Sequence, residues 1–136
     1  MFFNMKFKMF VKTTRKIYQV RKIDFENKRV YLENEDNYTQ SYFHFDDVIL
    51  IPFTGIYDRE GNEVYNGDII EYRVGRFVDM TLVKWGKVEF SFLKRTRISL
   101  NKVGWKRGTY QGIPNYGKVI GNMYQNPELL EKELKW

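Results

Sequence analysis

The sequence predicts a mainly β protein, β-rich α+β in class: a small antiparallel sheet or barrel with a short C-terminal helix. The expected division is into two β subdomains, a meander over 1–52 and a barrel-like unit over 53–136, or one continuous structural unit. Three observations predict it. Aromatic residues make up 18% of the 136 positions, and with the frequent β-branched residues they favour strands over helices. Apolar and polar residues alternate with period two through several short segments. Turn residues (Asp, Asn and Gly) punctuate those segments at short spacing.

The elements follow in order. Lys6–Val11 and Lys16–Phe25 read as strands joined through Thr13 and Thr14. In the second, the apolar phase changes between Val20 and Ile23, as a bulge would produce. Glu26-Asn27 is a turn. Val30 and Leu32 then alternate with Arg29, Tyr31 and Glu33, the pattern of a half-buried strand. An acidic turn at Asn34–Asn37 leads to a strand over Tyr38–Phe45. Asp46-Asp47 breaks it before the apolar run Val48–Ile51, which Pro52 is expected to end.

The next segment, FTGIYDREGNEVYNGDII at 53–70, carries two turn signals. Asp58-Arg59-Glu60-Gly61 suits a type I turn in which the Asp58 carboxylate accepts backbone N–H groups and Gly61 takes positive φ. Asn66-Gly67 tolerates the left-handed region and delivers the chain into Asp68–Val74, with Ile70, Tyr72 and Val74 on one face. Met80–Trp85 and Lys87–Leu93 flank Gly86 as strands, and Arg95–Leu100 reads as one more. From Asn101 to Lys118 periodicity is lost among Gly104, Gly108, Gly112, Pro114 and Gly117, so a long loop is expected. Lys118–Tyr124 returns as a closing strand. Asn126-Pro127-Glu128 has the residue types of a helix start, with Leu130 and Leu134 one turn apart.

Composition excludes several chemistries. The chain has no cysteine, hence no disulfide, thiolate metal site or thiol nucleophile. The opening MFFNMKFKMF is too short and too interrupted by lysine for a signal peptide's apolar region. No stretch approaches the roughly 18 apolar residues of a spanning helix. A soluble intracellular protein, with no membrane partner and no cofactor, is expected. The net charge of +6 is uneven: residues 1–68 hold ten Lys/Arg against eleven Asp/Glu, and residues 69–136 hold thirteen against six.

Three stretches together resemble the YopX family of phage and prophage proteins. They are Lys6-Phe7-Lys8 with Lys16-Ile17-Tyr18, the 53–70 segment with its Asp-turn-Gly and terminal Gly-Asp-Ile, and VIGNMYQNPELL at 119–130. Phe10 and Val11 stand where the family tends to have tryptophan followed by an acidic residue. The family usually opens near Met5, which makes residues 1–4 an extension or a matter of start site. The resemblance implies a small β-rich protein encoded by a phage or an integrated element. It implies no enzymatic activity, so no catalytic residues carry over.

The residues themselves offer little chemistry. His44 is the single histidine, and metal sites want clustered ligands. Asp46 and Asp47 are adjacent, so in a strand they would point to opposite faces. Asp58 and Asp68 could converge to hold Mg²⁺, but turn N–H groups explain each carboxylate more simply. Glu33, Glu35 and Asp36 fit a solvated turn. Neither a nucleophile elbow nor a P-loop spacing occurs.

The basic, aromatic stretch is the functional candidate. Residues 84–107 hold eight Lys/Arg against the single acid Glu89, with Trp85 and Trp105 interleaved and Tyr110 just beyond. Cations neutralise phosphates, and exposed aromatic faces stack bases. The leading expectation is a non-enzymatic accessory module that binds a host or phage macromolecule and is open to self-association through strand edges. The alternative is a nucleic-acid-binding module using Lys94, Arg95, Arg97, Trp105, Lys106 and Arg107.

Overall fold

The structure, a computed structural model, describes residues 6–33, 41–74, 77–85, 90–99, 102–108 and 117–130. The chain forms two compact units, Met1–Phe53 and Thr54–Trp136. In the first, β1 (Phe7–Val11), β2 (Lys16–Asp24), β3 (Arg29–Leu32), β4 (Tyr42–His44) and the first half of β5 (Val48–Tyr57) run in the order β4-β3-β2-β1-β5. Met9, Val11, Val30 and Val48 form its buried centre, packed by Tyr18, Val20 and Ile23 of β2 among others. Each such side chain contributes roughly 1.5–3 kcal/mol by leaving water.

The expected phase change in β2 is a bulge. Val20 opposes Leu32 and Lys22 opposes Tyr31, so Arg21 is the extra residue, and Val20 and Ile23 both reach the same core. The β2–β3 turn is fixed by Asp24, whose Oδ1 accepts from Asn27 N at 3.1 Å and whose Oδ2 accepts from Asn27 Nδ2 at 2.8 Å. The Asn34–Asn37 turn and residues 38–40 lie outside the described residues. Asp46 and Asp47 sit in a single 3₁₀ turn, Phe45–Asp47.

Two expectations in this unit change. Tyr31 is buried rather than outward and solvated, because Arg21, Lys22 and Tyr42 cover its ring. Pro52 does not end β5, which continues to Tyr57. Phe53 N donates to Lys6 O at 2.9 Å, so the neighbouring pair Phe7↔Pro52 is a non-hydrogen-bonded one. The missing N–H of proline therefore interrupts no bond to β1.

In the second unit the end of β5 pairs with β6 (Glu63–Tyr65). A five-stranded sheet follows from β7 (Asp68–Val74), β8 (Phe77–Trp85), β9 (Phe90–Ser99), β10 (Lys102–Gly108) and β11 (Lys118–Asn122), in the order β10-β9-β8-β7-β11. Both sheet faces carry apolar clusters. Val83, Phe90 and Phe92 pack with Ile70 and with Val64 of β6 on one. Ile69, Leu82 and Leu93, one cross-strand row, pack with Leu130 on the other.

Four expectations are corrected here. Lys87–Leu93 and Arg95–Leu100 are not two strands, since Phe90–Ser99 is continuous; residues 87–89 and 100 lie outside the described residues. The expected loop from Asn101 contains β10. The sheet is open, with β10 and β11 at its edges among the described residues, so no pairing there closes a barrel. The C-terminal helix is a 3₁₀ turn, Pro127–Leu129, and Asn126 makes no capping bond. Instead Asn126 Oδ1 accepts from Asn122 N at 3.1 Å. Leu130 packs on the sheet as expected, while Leu134 lies outside the described residues.

Candidate nucleic-acid interface

The six candidate residues fall on one antiparallel strand pair at a sheet edge. Lys94, Arg95 and Arg97 are in β9; Trp105, Lys106 and Arg107 are in β10. The register sets Arg95 opposite Trp105, Lys94 opposite Lys106, Arg97 opposite Val103 and Arg107 opposite Leu93. Residues 90–108 contain six Lys/Arg and no Asp or Glu. Because opposed residues share a face and faces alternate along a strand, the six divide. Lys94 and Lys106 lie on one face; Arg95, Arg97, Trp105 and Arg107 lie on the other. Trp85 ends β8; the residue is 55% exposed, and its ring stands edge-on to that of Phe90 with centroids 4.5 Å apart. The backbone N–H of Trp85 donates to Asn66 Oδ1 at 2.8 Å. Tyr110 lies outside the described residues.

The carboxylates of the 53–70 segment are committed elsewhere. Asp58 Oδ1 accepts from Glu60 N at 2.9 Å and Asn62 N at 2.8 Å. Its Oδ2 accepts from Asn62 Nδ2 at 3.2 Å and Val119 N at 3.0 Å. Four donors match the four lone-pair sites of a carboxylate. Burial works to raise the Asp58 pKa, but these bonds favour the charged form and together hold it below the ordinary carboxylate range. Asp68 Oδ2 accepts from Tyr65 N at 2.8 Å. Gly61 takes the expected positive φ of 83°, and Gly67 one of 87°.

Among the described residues, no three His, Cys, Asp or Glu side chains gather closely enough to hold a metal ion. His44 stands at the exposed edge strand β4, its ring edge-on to Tyr42 at 5.7 Å.

Sequence reasoning missed one surface. The outer face of β2, β3 and β4 carries an aromatic and cationic ladder: Lys22 opposes Tyr31, which opposes Tyr42, and Arg29 opposes His44. The Arg29 guanidinium sits over the Tyr42 ring at 4.5 Å, and Lys22 Nζ lies 5.2 Å from the Tyr31 centroid. The signal of this surface was the alternation of cations and tyrosines, but only the register across the bulge aligns them.

The family model described as YopX protein matches residues 6–131. Among solved structures, the crystal structure of protein EF1440 from Enterococcus faecalis is similar at 20% identity. It covers 93% of this chain and 98% of that one, with a TM-score of 0.64. No curated protein matches the chain.

Proposed function

The chain belongs to the YopX family of phage and prophage proteins, and from that premise we propose that it is a non-enzymatic interaction module acting in the cytoplasm of a bacterial host. One observation carries the reading. The carboxylates best placed for chemistry, Asp58 and Asp68, are committed to backbone and side-chain donors of the turns that hold the fold. The groups left to act are then surfaces. No helix among the described residues is long and apolar enough to cross a membrane. Among the described residues β4 and β10 stand at sheet edges, the kind of place where a partner strand, including one from a second copy, can add.

Affinity capture from a host lysate, run with and without nuclease, tests the reading. A protein partner retained through nuclease treatment, and lost when β4 or β10 is blocked by a proline, is the expected result. Hydrolytic activity of the purified chain that disappears with Asp58→Ala but survives in a turn-stabilised control would overturn it.

A second reading is a nucleic-acid-binding module. It is favoured by a specific placement: the acid-free run 90–108 forms the paired strands β9 and β10, with Lys94 at the position opposite Lys106. Cations so gathered neutralise adjacent phosphates, and binding then falls steeply with salt.

A further inference from the structure

Resting on the first reading, that of an interaction module, we propose that the outer face of β2, β3 and β4 docks an acidic segment of a partner protein. Its carboxylates are met by Arg21, Lys22 and Arg29 where these lie over the rings of Tyr31 and Tyr42.

Arg21 and Lys22 are neighbours in sequence, and in a regular strand they would point to opposite faces. The bulge brings both to one ring. The Arg21 guanidinium lies 5.7 Å and Lys22 Nζ 5.2 Å from the Tyr31 centroid. Arg29 lies over Tyr42 at 4.5 Å, and the Tyr42 ring meets those of Tyr31 at 5.5 Å and His44 at 5.7 Å. A ring attracts each cation placed over it, but Arg21 and Lys22 repel one another across Tyr31. An anion from outside relieves that repulsion.

The chain's own acids do not supply it. Asp24 stands opposite Arg29, but its two oxygens accept from Asn27 N and Nδ2. Glu33 is exposed at the end of β3. Among the described residues, neither these two nor any other carboxylate forms an ion pair with Arg21, Lys22 or Arg29. Arg21, Lys22 and Tyr42 are exposed and Arg29 is half-buried, so a partner's acids can reach them. The rings position the cations before a partner arrives, which lowers the ordering cost of binding. An arginine stacked on an aromatic face keeps its planar N–H fork for a carboxylate. Nucleic acid fits less well. A single strand stacks its bases on open aromatic faces, whereas Tyr31 is only 7% exposed and Arg29 already lies over Tyr42. A second copy docking through the same face would set these cations against themselves.

The test uses the full chain and fluorescently labelled probes of equal length, followed by anisotropy across a salt series. The probes are a peptide of alternating Glu and Ser, its Gln-for-Glu counterpart, and single-stranded and duplex DNA. The wild type is expected to bind the acidic peptide in preference to the others, and less tightly as salt rises. Arg21→Gln/Lys22→Gln/Arg29→Gln should lose at least about tenfold in affinity. Lys12→Gln/Lys16→Gln/Lys28→Gln removes the same charge from two turns and the end of β2 opposite Val11, and should stay within about twofold of wild type. Tyr42→Leu keeps every charge but removes the ring under Arg29, and should lose about threefold or more. Arg29→Lys should fall between wild type and the glutamine triple.

Thermal melts establish that each variant is folded; if the Arg21/Lys22/Arg29 triple is not, the exposed pair Arg21→Gln/Lys22→Gln replaces it, with a loss of about fivefold expected. Equal losses in the two charge triples overturn the face assignment. Preference for either DNA, lost in the Arg21/Lys22/Arg29 triple, overturns the choice of occupant. Absence of acidic-peptide binding at low salt overturns the proposal. A nuclease-resistant protein partner captured equally by wild type and by the Arg21/Lys22/Arg29 triple overturns it too, and leaves the first reading standing.

Discussion

Asp58 receives four hydrogen bonds and thereby ties three parts of the second unit together: its own turn, the Asn62 side chain, and β11 through Val119 N. Asp58→Asn keeps the shape but turns an NH₂ toward groups that are themselves donors. The expected loss is about 2–3 kcal/mol at pH 7, since bonds to a charged acceptor are worth more than neutral ones and a donor is left unmatched. The pH dependence follows from the sign of the shift. The folded pKa of Asp58 is depressed, so its contribution is complete above the unfolded value of about 3.9. It is lost as pH falls through the lower folded value. Urea melts should show a wild-type advantage that is constant from pH 7 to about pH 4.5 and shrinks below; a gap unchanged at pH 2.5 would contradict the account. The two turn glycines make a matched comparison. Both have positive φ, but a Cβ on Gly61 meets nothing within 4 Å, whereas one on Gly67 would lie 2.6 Å from Tyr124 Cε2 and 3.0 Å from Met123 Cγ. Gly61→Ala should cost only the backbone strain, about 1–2 kcal/mol. Gly67→Ala should cost a further 1–3 kcal/mol or so from overpacking, and thermal melts that rank the two the other way would refute this.

Among the elements, β2 makes the strongest case that pattern determines register. Tyr18, Val20 and Ile23 all pack on the first unit's core, and only the extra residue Arg21 lets positions three apart share a face. Deleting Arg21 restores plain alternation with both partners of the bulge, Val20↔Leu32 and Lys22↔Tyr31, still in place. That variant should stay folded, with its core and strand pairing kept. Deleting Gln19 instead moves Ile17 and Tyr18 to the wrong face relative to Val20, and should unfold the unit or shift its register. Circular dichroism melts of the two deletions check it, and equal damage would refute the register argument. The same strand explains what was legible: where alternation is undisturbed or broken by one residue, it marked β1, β2, β3, β7 and β11 to within a residue or two, and turn chemistry marked Asp58–Gly61 and Asn66-Gly67. What was not legible depended on a neighbour. Pro52 reads as a stop unless the partner strand shows that its missing N–H faces away from the ladder. β10 alternates Val103 and Trp105 with Lys102 and Lys106, but Gly104 and Gly108 read as breakers until β9 is seen to pair with them. Asn126 has the identity of a helix cap, yet its oxygen serves the Asn122 backbone. The candidate site shared this fate: its residues could be picked out from charge and aromaticity, but their division between two faces exists only in the cross-strand register.

At the scale of the whole molecule, the charge asymmetry becomes local once the unit boundary is known. Dividing the sequence at residue 68 sets a mildly acidic half against a strongly basic one. Dividing it between Phe53 and Thr54 gives nine Lys/Arg against seven Asp/Glu in the first unit and fourteen against ten in the second. Six of those fourteen cations and none of the ten acids lie in residues 90–108, so the rest of the second unit is net negative by two. Positive charge is thus concentrated in the stretch of sequence that forms β9 and β10. At physiological ionic strength, where charges beyond about 8 Å are screened, the expectation under the second reading is that a polyanion responds to those strands and not to the molecular total. Two charge-matched variants separate local from global effects. One replaces Lys94, Arg95, Arg97, Lys102, Lys106 and Arg107 with Gln; the other replaces Lys6, Lys8, Lys12, Lys16, Lys22 and Lys28. Each brings the formal net charge from +6 to zero. Both are checked for a native circular dichroism spectrum before loading on heparin. The first should elute at markedly lower salt than wild type, and the second close to it. Equal retention of the two would mean that net charge alone governs polyanion binding, and the β9–β10 edge would then have no special claim to function.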